Sequence, residues 1–212
     1  MENPVIIFGA SYLGRAAKEI FESNKVVVYG FLDDNKKLHQ TEIDDVVVLG
    51  STDDDGFLKL IGKKCEAFVA EDDNKLRKSL VAMLQDVRHM QPVNAIHQQS
   101  YISAKAELGH GNFIDQGVTI ATGAKVGSHC LLQSRAMIGI EAIIGNFVQV
   151  GSGSLVNPGV TIEDEVFIGS GVTIVSGVTI GKGARIGAGS VVIAPVKTGE
   201  TVFGNPAQKI KS

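Results

Sequence analysis

The chain has 212 residues with 23 Asp or Glu against 20 Lys or Arg, a formal net charge of −3 and a sequence pI near 5.9. That balance supplies no positive field for nucleic acid or an anionic membrane surface, and no stretch approaches the roughly 18 apolar residues of a membrane span. Only Cys65 and Cys130 are present, so a disulfide framework is not expected and a reducing compartment, the cytoplasm, is the simpler setting. Met1 to Pro4 carries no basic region ahead of the apolar run Val5 to Phe8, which argues against a secretory signal.

In chain order, Pro4 to Gly9 reads as a buried parallel strand. The turn Ala10-Ser11-Tyr12-Leu13-Gly14 follows, then a helix in which Ala16, Ala17, Ile20 and Phe21 share a face. A second strand, Val26 to Leu32, ends at Asp33-Asp34. Strand, glycine turn and helix N-terminus make a site for a phosphate or nucleotide, because free backbone N–H groups and the helix dipole converge on the turn. Gly9, Ala10 and Ser11 would hold it, and the acid about 20 positions on, Asp33 with Asp34 beside it, suits a ribose hydroxyl. The fingerprint is imperfect, since Ser11 stands where a central glycine is usual, and any βαβ unit needs a glycine at such a turn. Further elements are a strand at Val46 to Leu49, a helix from about Asp54 to Lys63, a strand at Ala67 to Ala70 and a helix from about Asn74 to Leu84. Under 100 residues, this half-Rossmann-like unit has no room for the second half of a dinucleotide fold.

A composition shift sets a domain boundary near His97: residues 1–96 carry 16 acidic against 12 basic side chains, and residues 97–212 carry 7 against 8. From Ile102 to Val192 an aliphatic residue recurs at every sixth position without a break, at 102, 108, 114, 120 and onward. The residue after it is often glycine (Gly109, Gly127, Gly139, Gly145, Gly151, Gly169, Gly181, Gly187), and the residue two before it is small or valine, as at Ala124, Ala136, Val148 and Val172. Sandwich strands recur at about 8–12 residues and need hairpin turns, whereas this pattern keeps phase throughout. It is the hexapeptide signature of a parallel β-helix, in which each unit makes one flat face and the stacked coils bury a common aliphatic column. Sixteen units at three per coil give roughly five coils. In this reading the glycine after each aliphatic residue takes the turn.

The short βαβ domain joined to an uninterrupted hexapeptide helix resembles the sialic acid O-acetyltransferase and bacterial nucleotide-amino-sugar N-acetyltransferase family. The resemblance runs over essentially the whole chain. It is carried by Phe8-Gly9-Ala10-Ser11 with Gly14, Phe31-Leu32-Asp33-Asp34, the junction Asn94 to His97, the sixteen hexads and the ending Val202 to Ala207. It implies an α/β N-terminal domain (1–96) that holds the nucleotide of a nucleotide-linked sugar. A left-handed parallel β-helix (97–212) would follow, forming a homotrimer and binding acetyl-CoA as co-substrate between neighbours. No metal, nucleic acid or membrane partner is implied.

The chain departs from that family at its centre. The family's general base is a His followed by an acid, in a stretch that here reads Ala136-Met137-Ile138-Gly139-Ile140-Glu141-Ala142-Ile143-Ile144-Gly145. Ile140 stands where the His belongs, and Glu141 is kept. Gln133 replaces the Asn seven residues earlier, and Leu13 replaces a His of the nucleotide turn. A base within reach of the nucleophile typically contributes about 10²- to 10⁴-fold in rate, and isoleucine supplies none of it. Glu141 becomes the candidate catalytic group, with His110 and His129 read as surface polar residues.

For the acyl donor, the resemblance places Gly151, Gly169 and Gly187 along the CoA groove, with the Gly151 amide directed at the thioester carbonyl. It places Gly204-Asn205-Pro206-Ala207 and Lys209, with Lys211, near the CoA adenine and phosphates. Each glycine read singly also suits a coil corner, and two C-terminal lysines are ordinary solubilising residues. Segments Val150 to Val160 and Val172 to Val178 carry few charges and leave flat faces that three-fold packing would cover. Acetyl transfer to a sugar amine or hydroxyl in surface-glycan synthesis is the leading expectation. A trimeric sugar-binding homologue without the base is the alternative, and an NAD-dependent redox reading leaves the β-helix without a role.

Overall fold

The structure is a computed structural model that describes residues 3–210, and the chain divides into two compact units, up to Gln98 and from Gln99. In the first unit the elements are β1 (Val5–Phe8), α1 (Tyr12–Ser23), β2 (Val28–Leu32), β3 (Glu42–Ile43), β4 (Val46–Gly50), α2 (Asp55–Leu58), β5 (Glu66–Val69) and α3 (Asn74–Arg88). The sheet order is β3-β4-β2-β1-β5, with β4, β2, β1 and β5 parallel and β3 antiparallel to β4. Val5 to Phe8 are all buried, as expected for a central parallel strand covered on both faces. The α1 stripe Leu13, Ala17, Ile20 and Phe21 is buried, and Phe21 meets Phe68 of β5 edge-on at 5.6 Å between centroids.

Two boundaries differ from the sequence reading. The helix expected over 54–63 is a single turn, because Gly62 takes φ +77 and donates its amide forward to the Cys65 carbonyl, while Lys63, Lys64 and Cys65 all direct their amides to the Leu60 carbonyl. The helix expected to end near Leu84 runs on to Arg88 and stops at His89, whose left-handed φ of 54 closes it.

The second unit is a left-handed parallel β-helix of sixteen two-residue strands, Tyr101–Ile102 through Val191–Val192. From Tyr101–Ile102 to Thr173–Ile174 each strand pairs in parallel with the one 18 residues on, as in Ile120 with Ile138 and Leu132 with Val150, so three faces rise together; in the last coil Ile180 meets Val196 and Arg185 meets Thr201, 16 residues on. The second residue of each strand points inward: Ile114, Ile120, Leu132, Ile138 and Val150 are completely buried. Polar groups inside the column are each satisfied. Asn112 donates to the Gly127 carbonyl at 3.0 Å and accepts from the Cys130 amide at 2.8 Å, and the Ser154 hydroxyl donates to the Gly169 carbonyl at 2.9 Å. A hairpin, Thr201–Gly204 with Ala207–Lys209, closes the C-terminal end.

The turn glycines are a correction. None of the glycines that follow the aliphatic residue has positive φ; the left-handed position lies three residues after the aliphatic one, at 111, 117, 123, 129 and every sixth residue to 189. The glycine after the aliphatic residue answers to stacking instead. A Cβ on Gly151 would lie 2.5 Å from the Ser170 amide nitrogen of the next coil, closer than real side chains approach. Gly153, at φ +67, has nothing within 4 Å of where its Cβ would be and is required only by the dihedral.

Candidate active site

In the first unit the strand order reverses at β1, with β2 on one side and β5 on the other, so a crevice opens beyond the carboxyl ends of β1 and β5. Gly9 takes φ +101, and a Cβ there would lie 2.6 Å from the Ala70 carbonyl oxygen; at Gly14 it would lie 2.1 Å from the Gly9 carbonyl. These two glycines let the turn fold tightly onto α1. Ser11 is the N-cap in extended conformation, and its hydroxyl bonds to no helix amide, so the first-turn donors of α1 receive nothing from it.

Asp33 and Asp34 both hold the walls of this crevice. Asp33 accepts the Ala10 amide on one oxygen and the Asn35 amide on the other, each at 2.8 Å, and its carbonyl meets Nε2 of His39 at 2.7 Å. Asp34 accepts the Thr52 amide and hydroxyl, both at 2.9 Å. A carboxylate has about four lone-pair sites, so Asp33 ties the turn to the end of β2 and keeps acceptor capacity for a hydroxyl.

The opposite wall holds residues that the sequence reading did not single out. The Tyr12 phenol donates to Asp72, three residues past β5, and this bond pushes the phenol up to about 12, with burial and the Asp72 and Glu71 charges adding to it. The same bond holds the Asp72 carboxyl below its usual range, while burial raises Glu71 beside it. Arg77 is completely buried and donates to the Glu71 carbonyl at 2.7 Å, the Asp72 carbonyl at 3.4 Å and Asn74 Oδ1 at 2.6 Å.

In the second unit Ile140 and Glu141 form one corner of the prism. Ile140 is 48% exposed and Glu141 is exposed with φ 55; the Glu141 amide donates to the Thr122 carbonyl at 3.1 Å, and the Ile140 carbonyl accepts from Gly159 at 2.9 Å. With an 18-residue register, Ile140 is stacked between Thr122 and Pro158, so no histidine shares its column. Ile143 and Leu155 of the same unit are also more than 40% exposed, and Leu155 pairs with Met137. Of the two histidines read as surface residues, His110 is exposed. His129 is buried and stacked on Phe147 at 4.8 Å between centroids, which corrects the sequence reading.

Gly151, Gly169 and Gly187 share one column, and their amides donate to the carbonyls of Ile168, Ile186 and Val202 at 2.8–2.9 Å. The Gly151 N–H, which the resemblance directs at a thioester carbonyl, is engaged in the ladder here. Gly187 lies under the Phe203 ring. At the C-terminal end, Gly204 (φ +106) and the cis Asn205–Pro206 bond make the hairpin turn, and Lys209 pairs with Glu200 at 3.2 Å. The Glu200 carboxyl sits below its usual range, first because the Lys197 amide bonds to it and then because of Lys209. Lys211 lies outside the described residues. No group of three or more His, Cys, Asp or Glu among the described residues is arranged to hold a metal ion.

Residues 4–84 match the PglD N-terminal domain, and residues 141–176 and 159–194 match the six-repeat bacterial transferase hexapeptide. PerB from Caulobacter crescentus, solved in complex with CoA and GDP-perosamine, is similar at 26% identity and a TM-score of 0.90, covering 100% of this chain and 99% of its own. A PglD N-terminal domain therefore precedes bacterial transferase hexapeptide repeats in this chain. WeeI from Acinetobacter baumannii, at 24% identity and a TM-score of 0.87, shares the fold over 98% of this chain and 99% of its own. So does the acetyltransferase domain of PglB from Neisseria gonorrhoeae with acetyl coenzyme A, at 20% identity and a TM-score of 0.87 over 99% of this chain and 100% of its own. No curated protein sequence matches the chain. The likeness to PerB extends over both units of the chain, the corner at Ile140 included.

Proposed function

We propose that the protein transfers the acetyl group of acetyl-CoA to the amine of a nucleotide-linked sugar in surface-glycan synthesis, acting in the cytoplasm as a homotrimer. The observation that carries this reading is the end-to-end likeness to PerB, a protein solved with both CoA and a nucleotide-linked amino sugar. In this reading the nucleotide lies at Gly9, Ala10 and Ser11 with Asp33 and Asp34 on its ribose side. CoA follows the Gly151, Gly169 and Gly187 column toward Gly204, Asn205, Pro206 and Lys209, whose pair with Glu200 is exposed and exchanges for a phosphate at little cost. The exposed Ile140, Ile143 and Leu155 support a three-fold association that removes them from water.

An amine acceptor suits a corner with an isoleucine in place of the base. A neutral amine attacks the thioester carbonyl carbon unaided: the C–N bond forms, the C–S bond breaks, CoA leaves as thiolate and the amine proton passes to water or to Glu141. A hydroxyl needs its proton removed during attack, which is the step Ile140 cannot assist. Positioning then supplies most of the barrier reduction.

Mixing the protein with acetyl-CoA and a panel of nucleotide-linked 4-amino sugars, while following free thiol, tests the reading. Thiol release that depends on the amino sugar is the expected result; its absence with every acceptor, together with no CoA binding by calorimetry, rules the transferase out. The absence of a histidine from the Ile140 column favours one second reading, a nucleotide-sugar-binding homologue that has lost turnover. It predicts that both ligands bind and no thiol appears.

A further inference from the structure

The wall of the crevice formed by Tyr12, Asp72 and Arg77 has no part in the reading above, yet it is braced by a set of hydrogen bonds. We propose that Tyr12, held upright by Asp72, is the side chain on which the hexose of the nucleotide-linked sugar rests, so that this pair decides which sugar is accepted. The inference rests on the nucleotide-sugar reading of the same crevice.

The topology fixes which part of the ligand lies there. A diphosphate at the N-terminus of α1 extends in two directions, and β2 and β5 flank β1 on opposite sides. The acids at the end of β2, Asp33 and Asp34, take the ribose side. What lies beyond the diphosphate therefore runs toward the exit of β5, where Tyr12 reaches Asp72.

Charge gives the same answer. Glu71, Asp72 and Asp73 line the β5 exit, and this wall repels phosphate while it accepts the hydrogen bonds of sugar hydroxyl and amino groups. A hexose carrying an amino group fits that chemistry.

The ring is also presented rather than packed away. Tyr12 is 65% exposed although its hydroxyl is tied down, so its flat face stands in solvent with its rotamer already fixed. An aromatic face of this kind packs on the C–H face of a sugar ring or takes a cation over its centre, and little entropy is lost on binding because the side chain is already ordered. The brace extends one layer further. Arg77 spends its buried guanidinium on the carbonyls of Glu71 and Asp72, the Asp73 carboxylate caps α3 at the Leu76 amide (2.8 Å), and Glu71 accepts the Asp73 amide at 3.1 Å. Each of these bonds fixes the loop that carries Asp72.

Calorimetry on the full chain tests the assignment, with GDP, UDP and dTDP as probes and the 4-amino-hexose conjugate of each. The wild type is expected to bind at least one conjugate more tightly than its bare diphosphate. Tyr12→Ala should remove that preference, weakening the conjugate about tenfold and the diphosphate less than twofold. Tyr12→Phe, which keeps the ring and loses its tether, should fall between, and CoA binding should be unchanged in both. Equal weakening of conjugate and diphosphate, or no weakening of either, overturns the role of Tyr12 while leaving the nucleotide reading in place. Failure of the wild type to bind any diphosphate or conjugate overturns both.

Discussion

Glycine at the exit of β1 and glycine on the prism share a sequence signature, a small residue beside an aliphatic run, and the structure gives them different work. At Gly9 and Gly14 the missing side chains let a helix N-terminus close over a crevice that stays open to a ligand. At Gly151 and Gly169 they let one coil settle on the next, and the backbone groups they free are consumed in the ladder. A glycine is evidence for a ligand only where the space and the donors it releases remain unused by the protein itself.

The sharpest way to break this distinction is to add a methyl group to each kind of prism glycine. Gly151→Ala drives a Cβ into the Ser170 backbone and should cost about 3 kcal/mol or more, as overpacking does. Gly153→Ala meets nothing and should cost only about 1–2 kcal/mol from the left-handed dihedral. Chemical denaturation of the two variants checks the order, and equal losses would remove the stacking account. In the first unit, Asp33→Ala leaves the Ala10 and Asn35 amides without their acceptor and should destabilise by about 1–3 kcal/mol, with nucleotide binding lost alongside and CoA binding retained.

The prism corner can be tested by adding chemistry. Ile140→His places a base beside the retained Glu141, and the rate of thiol release should rise at least about tenfold, since a positioned base is worth more than that. An unchanged rate would mean that the corner no longer faces the reacting atoms. The smallest effect belongs to Tyr12. Its folded value, raised from 10.0 to about 12 first by the Asp72 hydrogen bond, means that the bond's contribution to stability is complete below pH 10 and disappears as the pH climbs to about 12. A phenolate absorbance step near pH 12 is expected, moving down toward 10 in Asp72→Ala.

Most of the architecture is legible in the sequence because both units advertise it locally. The hexad phase predicts every strand of the prism, and the apolar run Val5 to Phe8 with its glycine turn predicts β1 and α1. The left-handed column three residues after each aliphatic position was open to the same reading, since glycine recurs there at 111, 117 and 123 and again from 171 to 189. It is masked in the middle by His129, Arg135, Glu141 and Phe147, which adopt that conformation without the residue type that announces it. His129 misled for a related reason: burial of a polar ring against Phe147 depends on neighbours brought in by the register. The wall formed by Tyr12, Asp72 and Arg77 was illegible, because its central bond joins residues 60 positions apart and no spacing rule connects them.

The eighteen-residue pairing of the prism also acts as a ruler for change over evolutionary time. Removing or duplicating eighteen consecutive residues takes out or adds one storey and leaves all others in phase, so the length of the shaft is free to vary. Smaller departures are taken up at a corner: the last coil is two residues short, with Ile180 paired to Val196 and Ile186 to Val202, and Val202 is still buried. A shaft built this way gains or loses whole storeys without losing phase, and its turns take the smaller changes.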